Sequence, residues 1–353
     1  MTILKGVLLH GKAVDIKIDG GLIVEIADDL GAGDKRYEGK SVWAGLIDIH
    51  THGCMGVDTM DCDMQVMAEY YLKNGITTFY PTTMTMSRED IIAATKQKTD
   101  FPLGANVPGF HMEGPFINEK LKGAQSAEHI IPPSMELFSA CERVKRVSLA
   151  PEIEGSLEFI KSCPAQCSIG HTECDYDTAK AAIAAGASSL THTFNCMPGM
   201  HHRKPGPIPA GAEEGIYAEI ISDGVHIHPA MVRTLVSLYG TDRVILISDS
   251  MRATGLSDGK YDLGGQMVTV TNGVAYTDGG NLAGSTTNLF ECVRRAISFG
   301  IPASDAFKMA SENPARLMGL NKGKVEVGLD ADLVFTDGEY NLVGVMKGGE
   351  IYE

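Results

Sequence analysis

The sequence predicts an α/β protein: a TIM-like (β/α)8 barrel joined to a small β-sandwich made from both ends of the chain. Three observations carry the prediction. Between residues 44 and 321, buried-strand segments alternate with amphipathic helical ones, the pattern of parallel strands linked by helices. Residues 1–43 and 322–353 read instead as short strands separated by turns. Side chains suited to bind a cation recur at the C-terminal ends of the barrel strands, the face on which such barrels carry their chemistry.

Taken in order, Val14-Asp15-Ile16-Lys17-Ile18 and Leu22-Ile23-Val24-Glu25-Ile26 flank Asp19-Gly20-Gly21, a hairpin signal. Segments 332–335 and 342–346 have the same character. Neither end is long enough to bury a core alone, so the two are expected to assemble one small domain, with the barrel inserted between them. Eight buried strands are predicted at 46–50, 77–81, 107–113, 146–151, 166–171, 189–195, 216–223 and 244–249. Most are followed by an amphipathic helix, as at 64–74, 88–99, 176–185 and 229–239. Eight such units over this length fit a closed barrel better than an open sheet. A stretch rich in Val, Thr and Gly at 261–276 predicts a β insertion near 259–281, and helices follow at 287–299, 303–311 and 313–318.

Composition narrows the function. The 353 residues are 44% hydrophobic and 21% charged, ordinary for a globular protein with a large core. A net charge of -15 excludes nucleic-acid or anionic-membrane binding over the general surface. The eight cysteines form no CxxC pair, which predicts reduced thiols and a cytoplasmic protein. No signal-peptide pattern and no membrane-length apolar run is present.

The most informative motif is His50-Thr51-His52, at the end of the apolar run Ala44-Gly45-Leu46-Ile47-Asp48-Ile49. Residues i and i+2 share a strand face, so both imidazoles are directed to one place. Glu113 ends the third predicted strand, His171 the fifth, His192 the sixth and Asp249 the eighth. Singly, each has a plainer reading as a core histidine, a turn residue or a cap. Together they bring four imidazoles and two carboxylates to one mouth. That set suits one or two divalent ions: zinc or iron first, with manganese and cobalt also accommodated. His111 shares a face with Glu113 but is read as a supporting or packed residue, outside the ligand set. His201-His202-Arg203-Lys204 is a dense basic cluster in an acidic chain, and Arg203 is suited to grip a phosphate.

Several segments carry a family likeness. They are Gly45-Leu46-Ile47-Asp48-Ile49-His50-Thr51-His52-Gly53, His111-Met112-Glu113-Gly114-Pro115-Phe116 and Gly170-His171-Thr172, then Thr191-His192-Thr193-Phe194-Asn195-Cys196-Met197-Pro198, Ser222-Asp223-Gly224-Val225-His226, Ser248-Asp249 and Leu282-Ala283-Gly284-Ser285. In this order, over nearly the whole chain, they resemble the amidohydrolase superfamily, and within it the N-acetylglucosamine-6-phosphate deacetylase family. His-x-His is the superfamily signal; Glu-Gly-Pro-Phe and His-Thr-Phe-Asn-x-Met-Pro are specific to the deacetylases.

The resemblance implies a metal-dependent hydrolase that removes the acetyl group of an amino-sugar phosphate, a small-molecule substrate. It assigns Glu113, His171 and His192 to one divalent metal, and the retained His50 and His52 to a second that shares Glu113. A bridging role for Glu113, on strand three, sets the chain apart from relatives that bridge through a carboxylated lysine on strand four. Asp249 is implied as the catalytic acid and base. Substrate contacts are implied for Asn195, Cys196 and His226, for Leu282, Ala283 and Gly284, and for the loop carrying Ala124 and Gln125. Arg203 is placed on the sugar phosphate. Gln125 stands where some members have a histidine that reaches the phosphate across a dimer interface. A homodimer is implied, in keeping with the prevalence of two-fold oligomers. The galactosamine-6-phosphate counterpart, or a deacetylase of a related amino sugar, is the nearest alternative. A non-catalytic barrel scaffold would have lost ligands that this chain retains.

Overall fold

The computed structural model describes residues 1–352. Eight strands form one parallel sheet: β1 (Leu46–Thr51), β2 (Ile76–Thr83), β3 (Phe110–Glu113), β4 (Val144–Leu149), β5 (Gln166–Ile169), β6 (Ala187–Leu190), β7 (Tyr217–Ile221) and β8 (Val244–Ile247). Each pairs with the next in chain order. Strands such as Val244-Ile245-Leu246-Ile247 are buried along their whole length, as expected where helices cover one face and the barrel interior the other. The ring closes between β8 and β1 without a regular ladder. The residues beyond β8 make the bonds instead: Asp249 N donates to the His50 carbonyl (3.0 Å), and His52 N to the Ser250 carbonyl (2.8 Å). Below them, the Asp48 carboxylate accepts from the Ser248 hydroxyl and backbone N–H.

All eight predicted strands are present, but several stop short. The segment predicted to run to Asn195 ends at Leu190, and the one predicted to run to His171 ends at Ile169. The cause is local: His171, His192 and Asp249 have positive φ (48°, 28° and 47°), so the chain leaves the extended conformation before each of them. Helices fill the intervals, among them Met64–Lys73, Tyr176–Ala185 and Pro229–Tyr239. The helix expected over 88–99 covers only Arg88–Thr95; beyond it Gln97 caps the end, donating to the Ala94 carbonyl.

The chain ends meet in a seven-stranded sheet. Its order is Glu350–Tyr352, Leu342–Lys347, Leu333–Thr336, Ser41–Ala44, Thr2–Leu9, Lys12–Asp19, Leu22–Ala27. The N- and C-terminal parts are joined where Ser41–Ala44 pairs antiparallel with Leu333–Thr336, and residues of both (Leu4, Ile16, Ile23, Leu333, Phe335, Met346) pack in one apolar cluster. The predicted insertion is a three-stranded antiparallel ribbon, Gly259–Leu263, Gln266–Thr271 and Val274–Thr277. It packs on Met84, Met251 and Ala283, at the open end of the barrel.

Trp43 couples the terminal sheet to the barrel. Its ring stacks on Phe307 (centroids 4.2 Å apart, 4° between planes), while its indole N–H donates to Thr336 Oγ1. Phe307 lies on the helix Ala303–Ala310 and is wholly buried. Truncating a buried aromatic removes its burial and leaves a cavity. Phe307→Ala should therefore lower stability by about 3–5 kcal/mol, read as a shift in the urea-unfolding midpoint; a shift under about 1 kcal/mol would show that the two sheets are held together elsewhere.

Candidate metal and active site

At the C-terminal end of the barrel strands lies a cleft of about 360 Å³. Its floor is built around the Glu113 carboxylate, carried on the last residue of β3. Glu113 Oε1 lies 3.2 Å from His50 Nε2, 3.3 Å from His171 Nε2 and 3.1 Å from His192 Nε2. Its Oε2 lies 3.2 Å from His52 Nε2. Two triads share the carboxylate, His50–His52–Glu113 and Glu113–His171–His192, and the ligand atoms within each lie within 4.8 Å of one another. Asp249 Oδ1 approaches the first triad, 3.3 Å from His52 Nε2 and 3.5 Å from His50 Nε2.

The ring orientations suit a cation. His52 Nδ1 meets the Thr82 carbonyl (3.2 Å), His171 Nδ1 the Leu121 carbonyl (2.8 Å) and His50 Nδ1 the Glu219 carboxylate (3.2 Å). An acceptor at Nδ1 fixes the proton there and turns the Nε2 lone pair inward. His171 Nε2 and His192 Nε2 stand 3.1 Å apart, close to the separation of two ligands on one tetrahedral ion (roughly 3.3 Å for bonds of about 2.05 Å). His50 Nε2 is buried without a hydrogen-bond partner. The residues present fit one divalent ion in each triad.

Electrostatics agree. Burial pushes the Glu113 carboxyl up, but His50, His171 and His192 outweigh it and hold it well below the usual range. Burial raises Asp249 too, and His50 and His52 bring it below its ordinary value. Conversely, burial disfavours a charged His52, yet Asp249 and Glu113 raise its pKa to about 9. The carboxylates thus draw positive charge inward. Protons and a metal compete for the same nitrogens, since only neutral imidazole is a ligand.

The surrounding backbone is strained where the chemistry sits. Besides His171, His192 and Asp249, Phe194 and Cys196 also have positive φ (80° and 48°), a conformation that costs non-glycine residues of order 1 kcal/mol or more. Gly123 lets a loop pass close by: a Cβ there would lie 2.9 Å from Cys196 Sγ. Ala124, Gln125, Asn195, Cys196, His226, Leu282 and Gly284 line the cleft. His226 is held by Asp223, which faces its Nδ1 at 2.7 Å and accepts from its backbone N–H; burial lowers its pKa, but Asp223 overrides this and raises it.

Three sequence expectations need correction. Gln125 does not extend outward: its Oε1 accepts from Thr85 N (2.7 Å), so its Nε2 donates to Glu113 Oε2 (2.8 Å). Ala283 lies beneath the cleft, buried under the ribbon. Arg203 does not line the cleft; it sits in an exposed turn, with Nη1 2.7 Å from His202 Nε2. The cation at the mouth is Lys120, paired with Glu173 (2.9 Å), which sequence reasoning missed because nothing in its loop sets it apart. Glu219 and its partner Arg146 were also missed. A lone acid inside Ala218-Glu219-Ile220-Ile221 was the available signal.

The chain belongs to the amidohydrolase family, whose profile matches residues 41–352, and it is a hydrolase of that family. Among its relatives, the N-acetylglucosamine-6-phosphate deacetylase of Bacillus subtilis is 38% identical over 87% of this chain and 83% of its own length. The N-acetylgalactosamine-6-phosphate deacetylase of Escherichia coli O157:H7 is 35% identical over 95% and 94%. Among solved structures, the N-acetylglucosamine-6-phosphate deacetylase of Thermotoga maritima superposes with a TM-score of 0.92 at 32% identity, covering 99% of both chains. An Asp-to-Ala variant of the Mycobacterium smegmatis deacetylase, in complex with N-acetyl-D-glucosamine-6-phosphate, matches equally well (TM-score 0.92, 31% identity, 99% and 98%).

Because Glu113 belongs to both triads, Glu113→Ala should strip metal from both. Bound zinc per chain, measured by mass spectrometry after loading, is expected to fall at least about tenfold; one full equivalent retained would show that the carboxylate is not shared.

Proposed function

We propose that the chain hydrolyses the acetamide of N-acetylglucosamine-6-phosphate to glucosamine-6-phosphate and acetate, in amino-sugar catabolism. The observation that carries this is Asp249 Oδ1, 3.3 Å from a ligand of the paired triads, in a chain whose relatives bear that activity in their names. His50, His52, Glu113, His171 and His192 would hold divalent metal, zinc or iron by ligand preference with manganese or cobalt also suited, which when bound would supply Lewis acidity and lower the pKa of water toward about 7.

The protein's own groups do the rest. Asp249, held ionised, accepts the proton of the attacking water and returns it to the departing nitrogen, so the product leaves as an amine. His226, its Nδ1 engaged by Asp223, offers its other nitrogen to the acetyl oxygen as negative charge develops there. Asn195, Leu282 and Gly284 border the sugar, and Lys120 faces the phosphate from the rim. A homodimer is part of the reading, in keeping with the prevalence of two-fold oligomers. We place the enzyme in the cytoplasm: all eight cysteines are free, and among the described residues no helix is long and apolar enough to cross a membrane.

The Escherichia coli relative favours a second reading, the galactosamine epimer as substrate. Parallel kcat/KM measurements on both sugar phosphates, before and after chelation, decide between them. Activity on neither overturns the reading. Asp249→Asn keeps a hydrogen-bonding side chain but no base. It should bind metal as the parent does and lose about 10²–10⁴ in kcat; turnover within a factor of about three of the parent would remove the acid/base role.

A further inference from the structure

The interior of this barrel is not uniformly apolar. Directly beneath the ligands, β4, β5, β6 and β7 contribute Arg146, Ser168, Ser189 and Glu219, all without solvent exposure. Arg146 Nη2 lies 2.6 Å from Glu219 Oε1, and donates to Ser168 Oγ (2.9 Å) and Ser189 Oγ (3.0 Å). The other carboxylate oxygen, Glu219 Oε2, accepts from the backbone N–H of His192 (3.1 Å) and faces His50 Nδ1 (3.2 Å). Neither charged residue lines the cleft, so neither reaches the substrate.

Stability gives no reason for this arrangement. Desolvating two charges offsets much of their attraction, and well-packed apolar side chains of similar volume serve a core as well or better. Barrel interiors are ordinarily filled by Val, Ile and Leu. The geometry gives a different reason. His192 Nδ1 is buried without a hydrogen-bond partner, so its ring has no anchor of the kind that His52 and His171 find in carbonyl oxygens. What fixes His192 is its main chain, at a φ of 28°, tied to Glu219. His50, in the other triad, is tied to the same oxygen through its ring.

The geometry points to the Arg146–Glu219 ion pair as the positioning device of the metal centre. Glu219 holds one ligand of each triad, His50 by its ring and His192 by its backbone. Arg146 in turn fixes Glu219 from the far side, between the two serines. The pair sets the Nδ1–H form of His50, aiming Nε2 at Glu113, and keeps His192 in its strained corner. The two subsites are then mechanically linked through one carboxylate. This inference rests on the metal reading of His50 and His192.

The test removes both charges together, so that no orphan charge remains buried: Arg146→Met with Glu219→Leu, compared with Glu219→Gln alone. Zinc stoichiometry and affinity are measured by chelator competition, and folding by circular dichroism and thermal melting. The expected result is a folded double variant with zinc affinity reduced about 10–100-fold and the His50 subsite emptied. Should the double variant fail to fold, Glu219→Gln supplies the same readings, with a neutral acceptor in place of the carboxylate and a smaller loss expected. Parent-like stoichiometry and affinity in a folded variant overturn the positioning role and leave the metal reading intact. A parent protein that takes up no zinc overturns both.

Discussion

The Glu113 carboxylate, ringed by four imidazoles, is the constraint around which the molecule is arranged. It sits at the end of β3 and is wholly buried, so its charge must be met by groups that arrive from elsewhere. They come from β1 and the residue just past it, and from the corners after β5 and β6, each turned so that one nitrogen faces inward. No two adjacent stretches of sequence could make this set. A closed parallel barrel can, because it delivers all its strand ends to one rim.

Much of the remaining architecture serves that rim. Carbonyls of Thr82 and Leu121 select the tautomers of two histidines, and Gln125 steadies Glu113 from the loop beside Gly123. The ribbon over 259–277 lies across the opening and brings Leu263 to the cleft wall, with Leu282 just beyond it. The terminal sheet takes no part in the cleft. It is docked through Trp43 and Phe307 at a different face of the barrel.

The alternation of apolar runs and amphipathic stretches revealed the barrel, because strands buried on both sides cannot disguise their composition. His50, His52, Glu113, His171, His192 and Asp249 were legible for a related reason: polar residues ending apolar strands stand out. The strand limits were not, since positive φ at His171, His192 and Asp249 carries no residue signature as it would with glycine. Arg203 misled because charge density in sequence says nothing of which way a loop faces. Gln125 misled because its role depends on Thr85, 40 positions away. Arg146 and Glu219 lie on different strands, and only their pairing across the interior makes either informative.

The seam between the last strand and the first has a consequence of its own. One of the bonds that join it, from Asp249 N to the His50 carbonyl, also ties the backbone of the aspartate proposed as the acid and base to that of a histidine of the first triad. Sealing the cylinder and setting the distance between Asp249 and the first triad are therefore one event. An insertion in that corner would unseal the wall and dislodge the aspartate at a single stroke.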